Sequence, residues 1–314
     1  MVKDLLDKPE KDMKLDGLSV DGVVRQMNIA GGFGATHLGL GVEILEAMNK
    51  DKKCMKFLSF PACLIATGLR GAIAEMISKG LVDVIITTCG TMDHDLARAW
   101  GGKYYQGVFE LDDARLHKEK IYRLGNVLIP NYDYGGVIEK NMQPILEELT
   151  KIKEEWSGRE IIAEFGKRIK DEGSILYQAA KHNVPIYVPG ITDGSFGTNM
   201  VWFSQDHKFK LDILADEKEL ADLAFKNKVT GALMLGGGIS KHHTIWWNQF
   251  KGGLDYAVYI TTASQYDGSL SGARMTEAVS WGKVKEQAKY VTIDGDVTII
   301  LPFMLTSLYE RMKK

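Results

Sequence analysis

The chain has 314 residues, of which 45% are hydrophobic and 25% are charged, and its formal net charge is −2. These fractions are ordinary for a globular protein, and the length suits one large α/β unit. A charge so close to zero gives no electrostatic reason to expect nucleic acid or an anionic membrane as a partner.

The cysteines and the N-terminal stretch indicate a cytoplasmic protein. Cys54, Cys63 and Cys89 have spacings that match neither a disulfide framework nor a metal site, so they favour a reducing compartment. The stretch MVKDLLDKPEKDMK is charged throughout, and no apolar run approaches the roughly 18 residues that a membrane span needs. We expect residues 1–30 to form an N-terminal arm, in which LSVDGVVRQM forms a short amphipathic helix or a docked surface helix.

Beyond the arm, apolar runs alternate with stretches of helical period. Ser157 followed by Glu160 is a capping-box signature that supports one helix start. The alternation predicts an α/β fold with a mostly parallel sheet flanked by helices. The predicted strands, nearly continuous in apolar residues, are VDVIITT (82–88), VPIYV (184–188), VTGALML (229–235) and DYAVYITT (255–262). The predicted helices are residues 64–79, 157–170, 216–226 and 241–251.

Glycine or small polar residues follow each predicted strand. Cys89-Gly90, Pro189-Gly190, Gly236-Gly237-Gly238 and Ala263-Ser264 stand at these positions. Ligands in parallel sheets bind at the carboxyl ends of strands, and glycines let backbone N–H groups approach a phosphate. A tight turn explains each one alone, whereas the four together favour a phosphorylated cofactor. No GxGxxG follows an early strand and no GxxxxGK[ST] occurs, so the usual dinucleotide and P-loop signatures are absent.

The segment Lys241-His242-His243 follows the triple glycine. Adjacent histidines point to different sides of a helix, so the pair does not predict a zinc site, and we expect no metal. One of them can act as an acid or base near neutral pH, and a structural histidine is the alternative.

The segment EAVSWGK (277–283) places Glu277 and Trp281 close to Lys283. A buried lysine has a lowered pKa and forms imines with carbonyl carbons, whereas most lysines are surface charges. Asp193, Asp267 and Glu277 would suit a cationic substrate such as a polyamine if they converge on one crevice, and solvated loop acids are the alternative.

Several segments strongly resemble the deoxyhypusine synthase family. They are GLVDVIITTCG (80–90), YRLGNVLIPN (122–131), PIYVPGITDGSFG (185–197), LGGGISKHH (235–243) and DYAVYITTASQYDGSLSGARMTEAVSWGK (255–283). The likeness extends from about Ala30 to near the C-terminus. It implies a Rossmann-like NAD-binding fold, with residues 31–314 as a single catalytic domain.

The resemblance also implies an activity. In this family NAD oxidises spermidine to an imine, and an enzyme lysine captures the aminobutyl group as propane-1,3-diamine leaves. The group passes to one lysine of the translation initiation factor 5A precursor, and the retained NADH reduces the new imine to deoxyhypusine. Family members are homotetramers whose active sites lie between paired subunits.

Matching positions give the predicted site residues. Lys283 matches the covalent lysine, His242 the active-site histidine, Trp281 a wall of the substrate site and Glu277 an amine partner. The predicted substrate site also includes Asp267, Gly268 and Ser269. The predicted NAD contacts are Asp193, Gly237, Thr262, Ala263 and Asp296, with backbone groups of Cys89 and Gly90.

The chain departs from the family pattern at two amine-binding positions. Leu270 and Thr198 stand where well-studied eukaryotic members have aspartate, and Asp93-His94 replaces a glutamate pair. The candidate replacements are Asp93, Asp95, Asp267 or an acid from the neighbouring subunit. Two alternatives follow: the same imine chemistry with another donor or acceptor, as with agmatine or in homospermidine synthesis, or a catalytically silent subunit. The silent-subunit alternative is disfavoured because the chain retains Lys283, His242 and Glu277.

Overall fold

A computed structural model describes residues 9–313, and its centre is a six-stranded sheet in which every neighbouring pair of strands is parallel. The described strands are β1 (Cys54–Phe60), β2 (Val84–Thr87), β3 (Tyr105–Gln106), β4 (Ile121–Leu124), β5 (Val127–Pro130), β6 (Glu155–Ser157), β7 (Ile186–Tyr187), β8 (Lys210–Asp212), β9 (Val229–Leu235), β10 (Leu254–Thr261) and β11 (Val284–Asp294). The central sheet has the order β11-β10-β9-β1-β2-β7. This is the doubly wound Rossmann order, with its switch point between β1 and β9.

Helices cover the sheet, which confirms the predicted fold class. They are α1 (Val20–Ala30), α2 (Phe33–Lys50), α3 (Leu69–Ser78), α4 (Gly90–Ala99), α5 (Asp113–Lys118), α6 (Gly135–Thr150), α7 (Gly158–Arg168), α8 (Ile175–His182), α9 (Ser195–Asp206), α10 (Ile213–Lys226), α11 (Gly238–Gln249), α12 (Met275–Ser280) and α13 (Val297–Met312). Outside the central sheet, β3, β4 and β5 form a small antiparallel sheet, and β6 pairs with β8. Among the described residues, no helix is both long and apolar enough to cross a membrane.

Alternate residues of each central strand enter two separate cores. In β9, Leu233 and Leu235 pack into the core that α2 and α13 cover. Ala232 and Met234 point the other way, into a smaller core that includes Ile245 of α11. This period-two alternation is what a strand buried on both faces requires.

All four predicted strands are present, but two further strands of the central sheet were not predicted. In β1, Lys56 interrupts the apolar run, yet its Nζ reaches the Gly80 carbonyl at 2.7 Å, so the charge leaves the core. β11 lies at the edge of the sheet and carries exposed polar residues such as Glu286. Edge strands tolerate charge, so their sequences lack an apolar run.

The predicted helix starts are correct at α7 and late at α11. Ser157 and Glu160 form both reciprocal hydrogen bonds of the capping box. α11 begins at Gly238, three residues before the predicted Lys241, because Gly238 adopts a φ of 74° and turns the chain directly from β9 into the helix.

The predicted helix in LSVDGVVRQM is confirmed as α1. It is anchored by Asp21, which is 2% exposed and accepts hydrogen bonds from Arg311 at 2.6 Å and Ser307 at 2.9 Å. Both partners lie on α13, so α1 is fastened to the C-terminal helix. The division of the chain at residue 30 stays a prediction, and residues 1–8 of the arm lie outside the described part of the chain.

Candidate active site

A pocket of about 440 Å³ lies between α11 and the segment that contains α12. Lys283 lines it, although this residue immediately precedes β11 and its carbonyl accepts a hydrogen bond from Leu254 N at 3.1 Å. Its backbone therefore lies at the amino edge of the sheet, not at the carboxyl edge where sequence reasoning expects ligands. The lining residues used below are His242, Trp246, Gln249, Leu270, Ala273, Glu277, Trp281 and Lys283.

Gly282 of the EAVSWGK segment makes the turn that places Lys283 in the pocket. Gly282 has a φ of 67°, and its N–H bonds the Val279 carbonyl while Lys283 N bonds the Ala278 carbonyl, both at 2.9 Å. This pair of bonds is the Schellman motif that ends a helix at a left-handed glycine. The chain leaves α12 sharply, so Trp281 and Lys283 both face the pocket.

Lys283 is a buried amine, so the surface-charge alternative is wrong. Its side chain is 8% exposed, and its Nζ lies 3.5 Å from Nε2 of His242. The ring centroids of Trp281 and Trp246 are 5.3 and 5.8 Å from the same Nζ. Burial lowers the pKa of Lys283, while the charge of Glu277 partly raises it again. A larger share of this amine is therefore neutral than in an exposed lysine.

The two adjacent histidines do point to different sides of α11, as predicted. His242 faces the pocket and stacks on Trp246, with ring centroids 5.6 Å apart. Burial and the nearby Lys283 lower the pKa of His242, so the neutral ring can accept a proton. His243 instead lies 3.1 Å from Glu217. No group of three metal-binding side chains occurs within residues 9–313.

Lys241 organises the pocket wall, and sequence reasoning missed it. Its side chain is 2% exposed, and its Nζ donates to the carbonyls of Leu270 and Ala273 at 2.6 and 2.7 Å. The same Nζ lies 4.0 Å from the ring centroid of Tyr259. Burial lowers the pKa of Lys241 to about 8. Helical spacing could have predicted the burial of Lys241. Thr244, Ile245 and Asn248 follow it at i+3, i+4 and i+7, so all four residues share the buried face of α11.

Asp267, Gly268 and Ser269 do not line the lysine pocket of this chain, and their role in substrate binding stays a prediction. Asp267 is exposed and accepts a hydrogen bond from Ser269 N at 2.7 Å, so it shapes a turn. Gly268 has a φ of 73°, which that turn needs. Leu270 and Ala273 from the same glycine-rich run line the pocket instead.

The predicted NAD residues share the carboxyl edge of the central sheet, because each follows the end of one of five parallel strands. Asp193 and Asp296 are exposed there, and Asp296 also caps α13 by accepting from Thr298 N at 2.9 Å. Helices α4, α9, α11 and α13 all begin at this edge. Cys89 and Gly90 follow β2, Asp193 follows β7, Gly237 follows β9, Thr262 and Ala263 follow β10, and Asp296 follows β11. Their contact with a cofactor stays a prediction.

Two members of this edge have close partners within the chain. A Cβ on Gly237 would lie 2.3 Å from the Ser271 hydroxyl oxygen, so this glycine lets the 267–274 loop pack against the triple glycine. Cys89 is buried and its Sγ donates to the Ile191 carbonyl at 2.9 Å. Burial raises the pKa of Cys89 to about 12, so the thiol is protonated.

Asp93, a candidate replacement for the missing amine-binding acids, is buried and does not line the lysine pocket. It is 1% exposed and accepts hydrogen bonds from Ser195 N, Phe196 N and the Tyr134 hydroxyl at 2.9, 2.7 and 2.9 Å. Burial raises the pKa of Asp93. These hydrogen bonds hold the first turn of α9 against α4 and Tyr134. Thr198, also on α9, donates its hydroxyl to the Gly194 carbonyl at 2.9 Å.

The side chains of Asp95 and His94 also have partners inside the protein and do not line the lysine pocket. Asp95 is fully buried, pairs with Arg70 at 2.6 Å and accepts from the Ser174 hydroxyl at 2.6 Å. His94 Nδ1 lies 2.8 Å from the Tyr104 hydroxyl, and burial lowers the pKa of His94 to about 4. Within residues 9–313, Glu277 is the one carboxylate that lines the lysine pocket.

The fold and the pocket define a doubly wound α/β protein with a buried lysine of lowered pKa on one flank of the sheet. A family model described as deoxyhypusine synthase matches residues 22–308. The chain belongs to the deoxyhypusine synthase family.

Two relatives agree with this assignment, and one solved structure shares the fold. A protein of Thermoplasma volcanium named "probable deoxyhypusine synthase" is 52% identical over 96% of this chain and 98% of its own length. One of the same name from Sulfurisphaera tokodaii is 56% identical over 88% of this chain and 89% of its own. The crystal structure of an Entamoeba histolytica protein named for the same family has a TM-score of 0.64 at 20% identity, covering 96% of both chains, which supports the fold.

Proposed function

We propose that the protein transfers the 4-aminobutyl group of spermidine, through an imine on Lys283, to a lysine of the translation initiation factor 5A precursor, with NAD as cofactor. The observation that carries this proposal is the buried Lys283 amine, which has a lowered pKa and faces His242. Family membership supplies the reaction class.

The residues of the pocket have complementary tasks in this reaction. The neutral Nζ of Lys283 attacks the oxidised carbon of the donor, and the bond from that carbon to propane-1,3-diamine breaks as the leaving amine takes up a proton. Nε2 of His242, 3.5 Å away, can hold the proton that Lys283 gives up. Trp246 and Trp281 present aromatic faces that attract a cationic amine, and Glu277 supplies the countercharge.

The carboxyl edge of the sheet fits a dinucleotide. Gly237 lies at the switch point between β1 and β9, and the N-termini of α11 and α13 direct partial positive charge towards the same edge. The exposed carboxylates of Asp193 and Asp296 suit ribose hydroxyls. NAD bound there would supply the oxidation of the donor and the final reduction.

The proposal includes a homotetramer in a reducing cytoplasm, with a catalytic domain over residues 31–314 and an N-terminal arm over residues 1–30. Spermidine carries three amines, whereas Glu277 is the one acid lining the pocket within the described chain. An acid from a paired subunit would balance this charge, as the family resemblance implies.

Trapping the imine tests the function. The protein is incubated with NAD and radiolabelled spermidine, reduced with borohydride and digested for peptide mapping. We expect label on Lys283, none in Lys283→Ala, and label transferred when the precursor of the initiation factor is added before reduction. Equal labelling of the Lys283→Ala variant would overturn the proposal.

A second candidate keeps the lysine chemistry and changes the donor to agmatine. Leu270 presents an apolar surface to the pocket, which favours a donor with fewer ammonium groups than spermidine. Label from agmatine on Lys283, without label from spermidine, would select this alternative.

A further inference from the structure

The helix α11 presents two different faces to the rest of the molecule. His242, Trp246 and Gln249 line the lysine pocket from one face. His243 and Trp247, which are one turn apart, point instead towards α10. Because successive residues of a helix differ by about 100° in direction, a contact that holds the α10 face also sets where the pocket face points.

A single carboxylate oxygen holds the α10 face of this helix. Oε2 of Glu217 accepts a hydrogen bond from Nε1 of Trp247 at 2.9 Å and lies 3.1 Å from Nε2 of His243. An ionised carboxylate only accepts hydrogen bonds, so the His243 ring carries a hydrogen on this nitrogen. Nε1 of Trp247 also lies 3.2 Å from Nε2 of His243, so the three side chains form one compact cluster.

Within residues 9–313, Glu217 is the one residue of α10 whose side chain makes a hydrogen bond or an ion pair to α11. The other polar anchors of α11 reach different elements. Lys241 donates to the 267–274 loop, and Asn248 accepts from the Thr230 hydroxyl of β9 at 2.7 Å. Glu217 does not line the lysine pocket, so a role in the reaction would have to act through α11.

The pocket face tolerates little movement of this helix. Nε2 of His242 is 3.5 Å from Nζ of Lys283, and the same ring stacks on Trp246. Side-chain atoms lie roughly 5–6 Å from a helix axis, so a rotation of about 20° displaces them by about 2 Å. Such a displacement takes His242 out of reach of the lysine proton, and an error of about 1 Å in a reacting contact can cost about 100-fold in rate.

We propose that Glu217 is a positioning residue, which fixes the rotation of α11 and thereby keeps His242 on Lys283 during imine formation. The inference rests on the proposed function for the reaction that Lys283 carries out. It requires the acceptor oxygen of Glu217 and not its charge, so an amide in the same place should serve as well. It also assigns to His243 and Trp247 the task of supplying the two donors.

Single-turnover imine formation tests this role. The protein is mixed with NAD and saturating radiolabelled spermidine, and label on Lys283 is trapped with borohydride at successive times. We expect Glu217→Ala to form the imine about 10- to 100-fold more slowly than the wild type, with the half-saturating donor concentration changed by less than about threefold. Glu217→Gln, which keeps the acceptor oxygen, should stay within about threefold of the wild-type rate.

Glu219→Ala is the matched control. Glu219 also lies on α10 and is similarly exposed, but its carboxylate pairs with Arg159 of α7 at 2.9 Å and makes no hydrogen bond to α11 among the described residues. Its loss should leave the rate of imine formation unchanged. Trp247→Phe removes one donor and keeps an aromatic ring, so it should slow the reaction by about three- to tenfold. It serves as the second variant if Glu217→Ala does not fold.

A double variant separates positioning from a general loss of stability. Glu217→Ala in the His242→Ala background should cause no further slowing, because the residue through which Glu217 acts is already absent. Losses that multiply in the double variant, an unchanged rate for Glu217→Ala, or equal slowing by Glu219→Ala would each overturn the inference.

The position of His242 can also be followed without NAD or a donor amine. Burial and the charge of Lys283 lower the pKa of His242, so an NMR titration of its ring reports whether the ring stays in the pocket. We expect this pKa to rise towards the ordinary value in Glu217→Ala and to stay lowered in Glu217→Gln. The charged groups that share the pocket or the helix with His242 are Lys241, His243, Arg274, Glu277 and Lys283.

The two Glu217 variants remove the same charge and leave these groups in place, so a difference between their titrations reports the position of the ring. Equal pKa values of His242 in the two variants would overturn the inference. If the wild type forms no imine on Lys283, the proposed function fails, and the titration still decides whether Glu217 positions His242.

Discussion

The lysine pocket and the carboxyl edge of the sheet are built in different ways. In the pocket, buried side chains from α11 and the 267–283 segment supply the chemistry, and burial shifts the pKa values of Lys241, His242 and Lys283. At the carboxyl edge, glycines, helix starts and exposed carboxylates supply the candidate contacts, while the buried acids hold the scaffold. The comparison teaches that acids near one edge of the sheet can have different roles, which their burial and their hydrogen-bond partners decide.

Exchanging the acids of the carboxyl edge for alanine should give the largest effect on stability. Asp93→Ala removes the acceptor of two backbone N–H groups and of Tyr134, so we expect the free energy of unfolding to fall by about 3 kcal/mol. Asp193→Ala removes an exposed acid and should change it by less than about 0.5 kcal/mol while weakening NAD binding. Urea denaturation measures the stability of each variant and NAD titration measures its cofactor affinity. Equal stability of the two variants would show that Asp93 does not have the structural role that distinguishes it from Asp193.

The contact between the two regions can be tested at Gly237. A Cβ at this position would overlap Ser271 of the pocket loop, so Gly237→Ala should lower the free energy of unfolding by about 1–3 kcal/mol. Gly190→Ala is the control, since a Cβ there meets no atom within 4 Å. Chemical denaturation compares them. If both variants are as stable as the wild type, the loop does not depend on this close approach.

Particular residues show how far the sequence could predict this structure. The strand VTGALML is predicted to the residue because both of its faces enter apolar cores. β1 was missed because Lys56 interrupts its apolar run. The long side chain places the charge outside the core, and the sequence alone does not show this. Lys283, His242, Glu277 and Trp281 were predicted from a family motif, and the structure brings them to one pocket.

The roles of the remaining site residues depend on distant partners. Asp93 bonds residues 102 and 103 positions away, and Asp95 bonds Ser174, 79 positions away. No local pattern contains that information, so both acids were candidates for substrate binding. Lys241 carried a readable helical spacing, but its carbonyl partners at Leu270 and Ala273 lie in another segment.

Capping and cofactor binding can be separated at Asp296. This residue caps α13, and Asp212 caps α10 in the same manner by accepting from Leu214 N and Ala215 N. Replacing either with alanine should cost about 1 kcal/mol of stability. Only Asp296→Ala should also weaken NAD binding, because Asp212 ends β8, which is not a strand of the central sheet, and it is not part of the proposed site. Thermal unfolding with and without NAD distinguishes the two, and identical NAD-induced stabilisation would remove Asp296 from the proposed site.

The smallest expected effect concerns the titration of Lys283. The charge of Glu277 favours the protonated amine and raises the pKa of Lys283, in opposition to burial. Glu277→Gln removes that charge, so the pKa should fall and the neutral amine should become available at lower pH, with a shift below about one unit, or 1.4 kcal/mol. Reductive methylation with formaldehyde and cyanoborohydride, followed by mass spectrometry of the Lys283 peptide, reports this titration without NAD or a donor amine. Glu286→Gln is the matched control, since Glu286 is an exposed residue of β11 outside the pocket lining. A midpoint that moves to higher pH in Glu277→Gln, or moves equally in both variants, would mean that Glu277 does not govern the charge of the lysine and that burial alone sets its reactivity.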